Sequence, residues 1–424
     1  MATLPASDAS KRIVTLDIIR GIAVMGIFSV NITAFAMIEG AYFNPPAYGG
    51  ADGANLALWF ANLLIIDGKM RSLFSMLFGA SMLLVIQRAA ANGESTAKVH
   101  FARMAVLFAI GWIHYHLIWW GDILKDYAVT GCLAYLWHRA SVKKLMGWGI
   151  GFYLFGMLFF GSFVLQLIQW DQAAHAPGAT RAAIDQWNDF ASMMYPSAAE
   201  ISKDLALHRG SWLGIAHYWV VERSFSWVQG TLFFLPETLA LMLFGMAGYK
   251  SGFLTGEWDN RRYVKWAAVG ISLGVTASII AALADIESRF FVPTVFGAFI
   301  VGLAPFRLLQ AAGYAALIII LTRNLGPLAK RVAAAGRCAF TNYLGTSLIA
   351  TFVFYGWGLG YYGYAQRWQA WLLVPTVWMI MLLWSKPWLE RFHYGPLEWV
   401  WRTLARGKVQ PFRKPKPARA QATA

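Results

Sequence analysis

The residues best suited to chemistry lie in one stretch, Phe108–Gly131. It is an apolar, helix-length run that carries His114 and His116, closes on Trp119-Trp120 and turns through Gly121-Asp122-Ile123-Leu124. Imidazole supplies a general base near neutral pH, and Asp122 is a candidate to orient it if the turn folds back. In a bilayer the run places a histidine one to two turns below an aromatic belt, with Asp122 at the surface just above. Ionisable side chains are expensive there and read as functional by default. His114 and His116 stand about 200° apart on a helix, so they cannot share one site or chelate one metal ion without distortion. The competing reading of His114 is a packing histidine, bonded across to a neighbouring helix.

Further polar groups interrupt the apolar runs. Asp17 and Arg20 are three residues apart, close enough to pair on one helix face, and Gly21, Val24, Phe28 and Asn31 continue that stripe. The stripe reads either as an ion pair above a packing surface, with Gly21 permitting close approach, or as a functional face reaching down to Asn31. Asp67-Gly68-Lys69-Met70-Arg71 breaks the run Leu56–Ala89. That run spans about 50 Å if continuous, so it is either broken near Gly68 or extends past the bilayer. Asp67 and Arg71 have the spacing to pair, and anion binding is the preferred role for Lys69 or Arg71. Gly68, Ser72, Ser75 and Gly79 form a small-residue packing face. Glu237 follows Pro236 and has no obvious local partner, while Arg337 and Asn342 open a later apolar segment. No HExxH, CxxC, Walker or nucleophile-elbow pattern is present, so no metal site or bound cofactor is expected. Cys132 and Cys338 both fall in apolar stretches and read as buried hydrophobes.

The elements that must position these groups follow from composition. The 424 residues are 58% hydrophobic and 13% charged, with 21 Trp and 29 Phe. Soluble domains are about one quarter charged, so repeated apolar runs of about 20 residues make this an all-α, polytopic membrane helical bundle. The net charge of +15 sits mainly in short loops and the tail. That is the positive-inside pattern rather than a nucleic-acid footprint. The expected organisation is about ten crossings with both termini cytoplasmic. Residues 1–12 form a disordered start, 13–169 one transmembrane half, 170–226 a periplasmic excursion with amphipathic pieces, 227–404 the second half, and 405–424 a basic disordered tail. Ala34-Phe35-Ala36 could pass for a signal-peptidase site, but Asp17 and Arg20 favour an uncleaved first helix. Phe290–Thr322 contains Pro305 and Arg307 and reads as one helix or two short pieces, and Pro396 starts an interfacial helix.

Several patches resemble the YeiB-like family of bacterial membrane proteins, whose C-terminal half is the domain of unknown function DUF418. They are Leu16-Asp17-Ile18-Ile19-Arg20-Gly21 with Gly26 and Asn31, Gly68-Lys69 with Arg71-Ser72-Leu73-Phe74, and His114 with Gly121-Asp122-Ile123-Leu124 and Tyr127-Ala128. In the second half they are Gly336-Arg337, Thr341-Asn342-Tyr343, and Tyr394-Gly395-Pro396-Leu397-Glu398-Trp399 with Arg402. The family spacing singles out His114, seven residues before Gly121, over His116. The family is in turn distantly similar to transmembrane acyltransferases, which move an acyl group from a cytoplasmic donor such as acetyl-coenzyme A across the membrane with a central histidine. This resemblance implies His114 as the catalytic histidine and a glycan or lipid as acceptor, with Asp122 the catalytic candidate that the chemistry adds to orient the base. Asp17, Arg20, Asn31, Lys69, Arg71, Tyr127, Glu237, Arg337 and Asn342 are the candidate binding residues. A transporter or lipid-handling protein using the same charges, and a non-catalytic scaffold, are the alternatives. No internal repeat supports the transporter.

Overall fold

The computed structural model describes residues 13–415, and apart from one isolated β-bridge every regular element among them is helical. The first half contains α1 (Val14–Ala36), α2 (Gly53–Ile65), α3 (Lys69–Ala91), α4 (Thr96–Leu117), α5 (Leu124–Ala134) and α6 (Val142–His175). Three shorter helices follow, α7 (Arg181–Ala191), α8 (Ala198–His208) and α9 (Trp212–His217). The second half runs α10 (Ser226–Lys250), α11 (Asn260–Glu287), α12 (Val292–Phe296), α13 (Ala304–Leu321), α14 (Pro327–Arg337), α15 (Ala339–Phe354), α16 (Arg367–Trp371), α17 (Leu373–Arg391) and α18 (Pro396–Arg406). Eight helical stretches among the described residues are long and apolar enough to cross a membrane, as in a multi-pass membrane protein. Two of the expected crossings are short: α5 has 11 residues and α15 has 16. The expected single helix at Gly336–Asn342 is two, because the chain leaves helical geometry at Cys338.

The run Leu56–Ala89 is broken. Gly68 takes φ +72, a conformation that glycine adopts without steric cost, and ends α2 away from α3. A helix end inside an apolar bundle must find partners for its free carbonyls. Here the Leu63 carbonyl accepts from Lys69 Nζ, Leu64 from Gln310 Nε2 at 2.9 Å, and Ile65 from the Tyr314 hydroxyl at 2.9 Å. Lys69 is fully buried and also donates to Ser278 at 3.1 Å. It is therefore spent on the helix break rather than offered to an anion. Replacing Lys69 with methionine should cost about 1–3 kcal/mol, the penalty of stranding a buried carbonyl. A lowered thermal midpoint in detergent, with exposed Lys98→Met unchanged, is the result that checks it.

The second break falls between α12 and α13, where Gly297–Gly302 form a π-turn, so Phe290–Thr322 is in pieces. Tight crossings hold the pieces together. Gly79 on α3 lies against the Met242 carbonyl, and Gly245 on α10 against that of Met76. Gly21 meets the Val332 carbonyl and Gly336 that of Asp17, which binds α1 to α14. A side chain at any of the four would overlap backbone, the constraint that small-residue stripes relieve. The 170–226 segment is largely helical and packed down: Trp212 donates to the Leu117 carbonyl at 2.7 Å, and the His208 ring stacks on Tyr362 at 4.5 Å.

The segment after Arg406, expected to be disordered, is pinned through Lys414. Phe412 packs on Phe392 and Trp399, and Lys414 N donates to the Arg391 carbonyl at 2.9 Å. The aromatic side chains near 390 supply an apolar anchor that net charge alone did not suggest. The expected disordered start, 1–12, and the tail beyond 415 lie outside the described residues. On α18, the Glu398 carboxylate accepts from Phe340 N at 2.8 Å and Thr341 N at 3.1 Å, capping the N-terminus of α15. Burial raises its pKa above the ordinary 4.5, against the pull of these hydrogen bonds.

Candidate functional site

The turn after α4 does fold back. Ile118 N and Trp119 N both donate to the His114 carbonyl, closing the helix, and the chain reverses over Gly121 before α5. A Cβ at Gly111 would strike the Lys125 amide and the Asp122 carboxylate, so glycine lets α4 and the reversed segment meet. The outcome is that His114 Nδ1–H donates to Asp122 Oδ2 at 2.7 Å. The other carboxylate oxygen accepts from Lys125 N at 3.1 Å, and Lys125 Nζ donates to the Asp122 carbonyl at 2.8 Å. Both partners are out of solvent, His114 at 1% and Asp122 at 0% side-chain exposure. His114 Nε2 is buried with no hydrogen-bond partner among the described residues. With Nδ1 carrying the proton, Nε2 holds the free lone pair, the arrangement of a general base.

Tyr343 of α15 was not among the expected site residues. Its ring lies 5.7 Å from that of His114, and its hydroxyl accepts from Ile123 N at 3.3 Å. Its neighbour Asn342, the expected residue, faces away: Nδ2 donates to the Ala335 carbonyl at 3.0 Å and Oδ1 accepts from Trp384 at 2.9 Å. Asn342 fastens α15 to α14 and α17.

Tyr127 extends the site towards the first helix break. Its hydroxyl pairs with Ser75 at 2.7 Å, and Ser75 Oγ donates to the Arg71 carbonyl at 2.9 Å. Arg71 pairs with Glu237, whose second oxygen lies 3.5 Å from Arg307 Nη2. Glu237 thus has two partners, both remote in sequence. The expected Asp67–Arg71 pair does not form; Asp67 accepts from the Tyr42 hydroxyl at 2.9 Å. The kink between Asp67 and Lys69 removes the helical register that spacing assumed.

The remaining candidates sit elsewhere. Asp17 and Arg20 do pair, at 3.2 Å, and Arg20 also donates to Ser81 at 2.6 Å. Arg337 donates to the His393 carbonyl at 3.3 Å, beside the α1–α14 crossing. Asn31 is half-buried on α1. Arg71 and Arg307 thus share Glu237, and Arg20 and Arg337 flank the α1–α14 crossing. His116 turns aside, as its spacing requires, bonding the Trp112 carbonyl at 2.9 Å.

Residues 248–408 match the family described as "Protein of unknown function (DUF418)". Over 405 residues the chain is 30% identical to uncharacterized protein YeiB of Escherichia coli (strain K12), covering 93% of this chain and 96% of that one. It is also 30% identical to uncharacterized protein YxaH of Bacillus subtilis (strain 168), covering 98% and 99%. The chain belongs to the YeiB-like DUF418 family. A third relative, the uncharacterized 39.9 kDa protein in amylase 3'region of Bacillus acidopullulyticus, is 25% identical over 96% of this chain and 98% of its own. No solved structure matches. The DUF418 segment supplies Arg307, Tyr343 and Glu398, whereas His114, Asp122, Arg71 and Glu237 precede it. The YeiB-like candidate site is thus assembled from both halves.

Proposed function

We propose that this protein is an integral inner-membrane acyltransferase with both termini cytoplasmic. It would move an acyl group from a cytoplasmic acyl-coenzyme A, such as acetyl-coenzyme A, to a hydroxyl or amine acceptor on a glycan or lipid. The observation that carries the reading is the buried His114–Asp122 pair with Nε2 left unpartnered. In this reaction the acceptor's oxygen or nitrogen attacks the thioester carbonyl while its proton passes to His114 Nε2. The C–S bond then breaks, and the departing thiolate takes the proton from the imidazolium. Burial of the pair excludes bulk water, which would otherwise compete as acceptor. Arg20 and Arg337 supply cations for the donor's phosphates at the end carrying the basic loops.

Binding of acetyl-coenzyme A to the purified, detergent-solubilised protein tests this. The wild type and His114→Ala should bind it, and Arg20→Ala should not. No detectable binding at about millimolar donor would remove the reading, since a donor that weak gains only about 4 kcal/mol.

A second reading has its own support. Two helices break near one another, and the Arg307 side chain packs directly on Gly68 at the first break. Discontinuous helices around charged side chains are a recurring device of transporters. Solute uptake into vesicles without donor turnover would favour it. A scaffold, by contrast, predicts that each intramembrane charge is satisfied by a neighbour with no cavity beside it.

A further inference from the structure

A second polar atom beside His114 lacks a partner. Trp119 is 3% exposed, and its indole Nε1–H finds no acceptor among the described residues. Its ring lies 6.5 Å from the His114 ring, nearly perpendicular to it. The two orphans are complementary: with Nδ1 protonated, Nε2 of His114 only accepts, and an indole N–H only donates. An unsatisfied buried polar group is costly, and two of opposite kind on neighbouring rings suit one occupant with a donor and an acceptor.

The indole is held firmly. It stacks on Phe35 at 3.9 Å, with the ring planes 28° apart. A Cβ at Gly121 would collide with its six-membered ring, so glycine there lets the turn close over the indole. The Trp119 amide donates to the His114 carbonyl at 2.9 Å, which holds the two backbones together at the end of α4. Phenylalanine keeps a ring for the stack on Phe35 and loses the N–H together with the fused-ring atoms that face Gly121. Tyr343, the other nearby donor, has its hydroxyl engaged by the backbone of the 121–123 turn. Trp120 differs, being half-buried and stacked on Trp219 at 6.0 Å.

We infer that Trp119 Nε1–H is the oxyanion donor of this site, hydrogen-bonding the thioester carbonyl oxygen as charge builds on it. This rests on the acyl-transfer reading. As the acceptor atom bonds to the carbonyl carbon, the C=O electron pair moves onto oxygen and the indole N–H stabilises it. The acceptor's proton passes to His114 Nε2. When the carbonyl re-forms, the C–S pair leaves with the thiolate, which takes that proton as the thiol. A rigid donor aimed at developing charge stabilises the transition state more than the ground state.

The test is acetyl transfer by the full chain in detergent, comparing Trp119→Phe with Trp120→Phe and the wild type. Trp119→Phe should lower kcat about 10²-fold with KM for acetyl-coenzyme A within about twofold, as loss of one oxyanion donor does. Trp120→Phe should stay near wild type. Should Trp119→Phe fail to fold, Phe35→Leu, which loosens the stack, should give a smaller loss confined to kcat. An active wild type with an equally active Trp119→Phe overturns the inference and leaves the acyltransferase reading standing. A rise in KM alone also overturns it, because that is loss of uniform binding. A wild type with no turnover overturns both.

Discussion

Replacing His114 with alanine should lower acyl transfer by about 10²- to 10⁴-fold while leaving acetyl-coenzyme A binding intact, the loss expected for a general base. Asp122→Asn should approach that loss by a different route. An asparagine can present its amide to Nδ1 and favour the tautomer with the proton on Nε2, which removes the free lone pair. The bland alternative, a histidine kept for packing, predicts something else: a lower thermal midpoint and an even loss across all readouts. In the present geometry Nε2 contributes no hydrogen bond to the fold, and Asp122 retains the Lys125 amide without the imidazole. Loss of turnover with a midpoint moved by only a few degrees therefore identifies a base. Unchanged turnover in His114→Ala would end the assignment.

The sequence carried some of this plainly and some not at all. The His114–Asp122 pair was legible because its partners are eight residues apart and joined by a single turn. An apolar run, two tryptophans and a Gly-Asp step leave the chain little choice but to reverse there. Asp17 and Arg20 were legible for the same reason, being one helical turn apart. The break at Gly68 is foreshadowed by length, because a largely apolar run of 34 residues exceeds one crossing. What was not legible is what lies between helices. Glu237 looks partnerless within its own helix, and both its guanidinium partners come from other helices, 166 residues away for Arg71 and beyond the second break for Arg307. Lys69 reads locally as a free cation in an apolar run. Only the fold shows that it, Gln310 and Tyr314 close the carbonyls of a helix that ends early. Tyr343 and Asn342 are adjacent, so one of them must face away from any site on that side of α15, and periodicity cannot say which until the helix's neighbours are known. In the sequence Trp119 is one of two adjacent belt tryptophans, and its burial against Phe35 sets it apart from Trp120.

Glu237→Ala is expected to be the most damaging single change among the buried charges, lowering stability by about 3–5 kcal/mol. The carboxylate is one anion between two guanidiniums, Arg71 from α3 and Arg307 from α13, and its own side chain is 12% exposed. Arg307 is 4% exposed and packed over the Phe299 ring, so it cannot turn to water when Glu237 is removed. Arg71 is 25% exposed and partly relieved by Phe234, which makes it the less costly partner to strand. This asymmetry predicts a ranking. Arg307→Met should recover more of the loss in the Glu237→Ala background than Arg71→Met does, because it removes the charge with less access to solvent. Coupling between contacting charges of this kind is typically 0.5–3 kcal/mol. The measurement is thermal unfolding of each single and double variant in one detergent, with folded yield by size exclusion. Because three separate helices meet at this carboxylate, their loss should be cooperative rather than confined to one of them. A Glu237→Ala protein that melts with the wild type would show that the two guanidiniums are neutralised by something other than Glu237, and that the break beside Gly68 is held by its carbonyl partners alone.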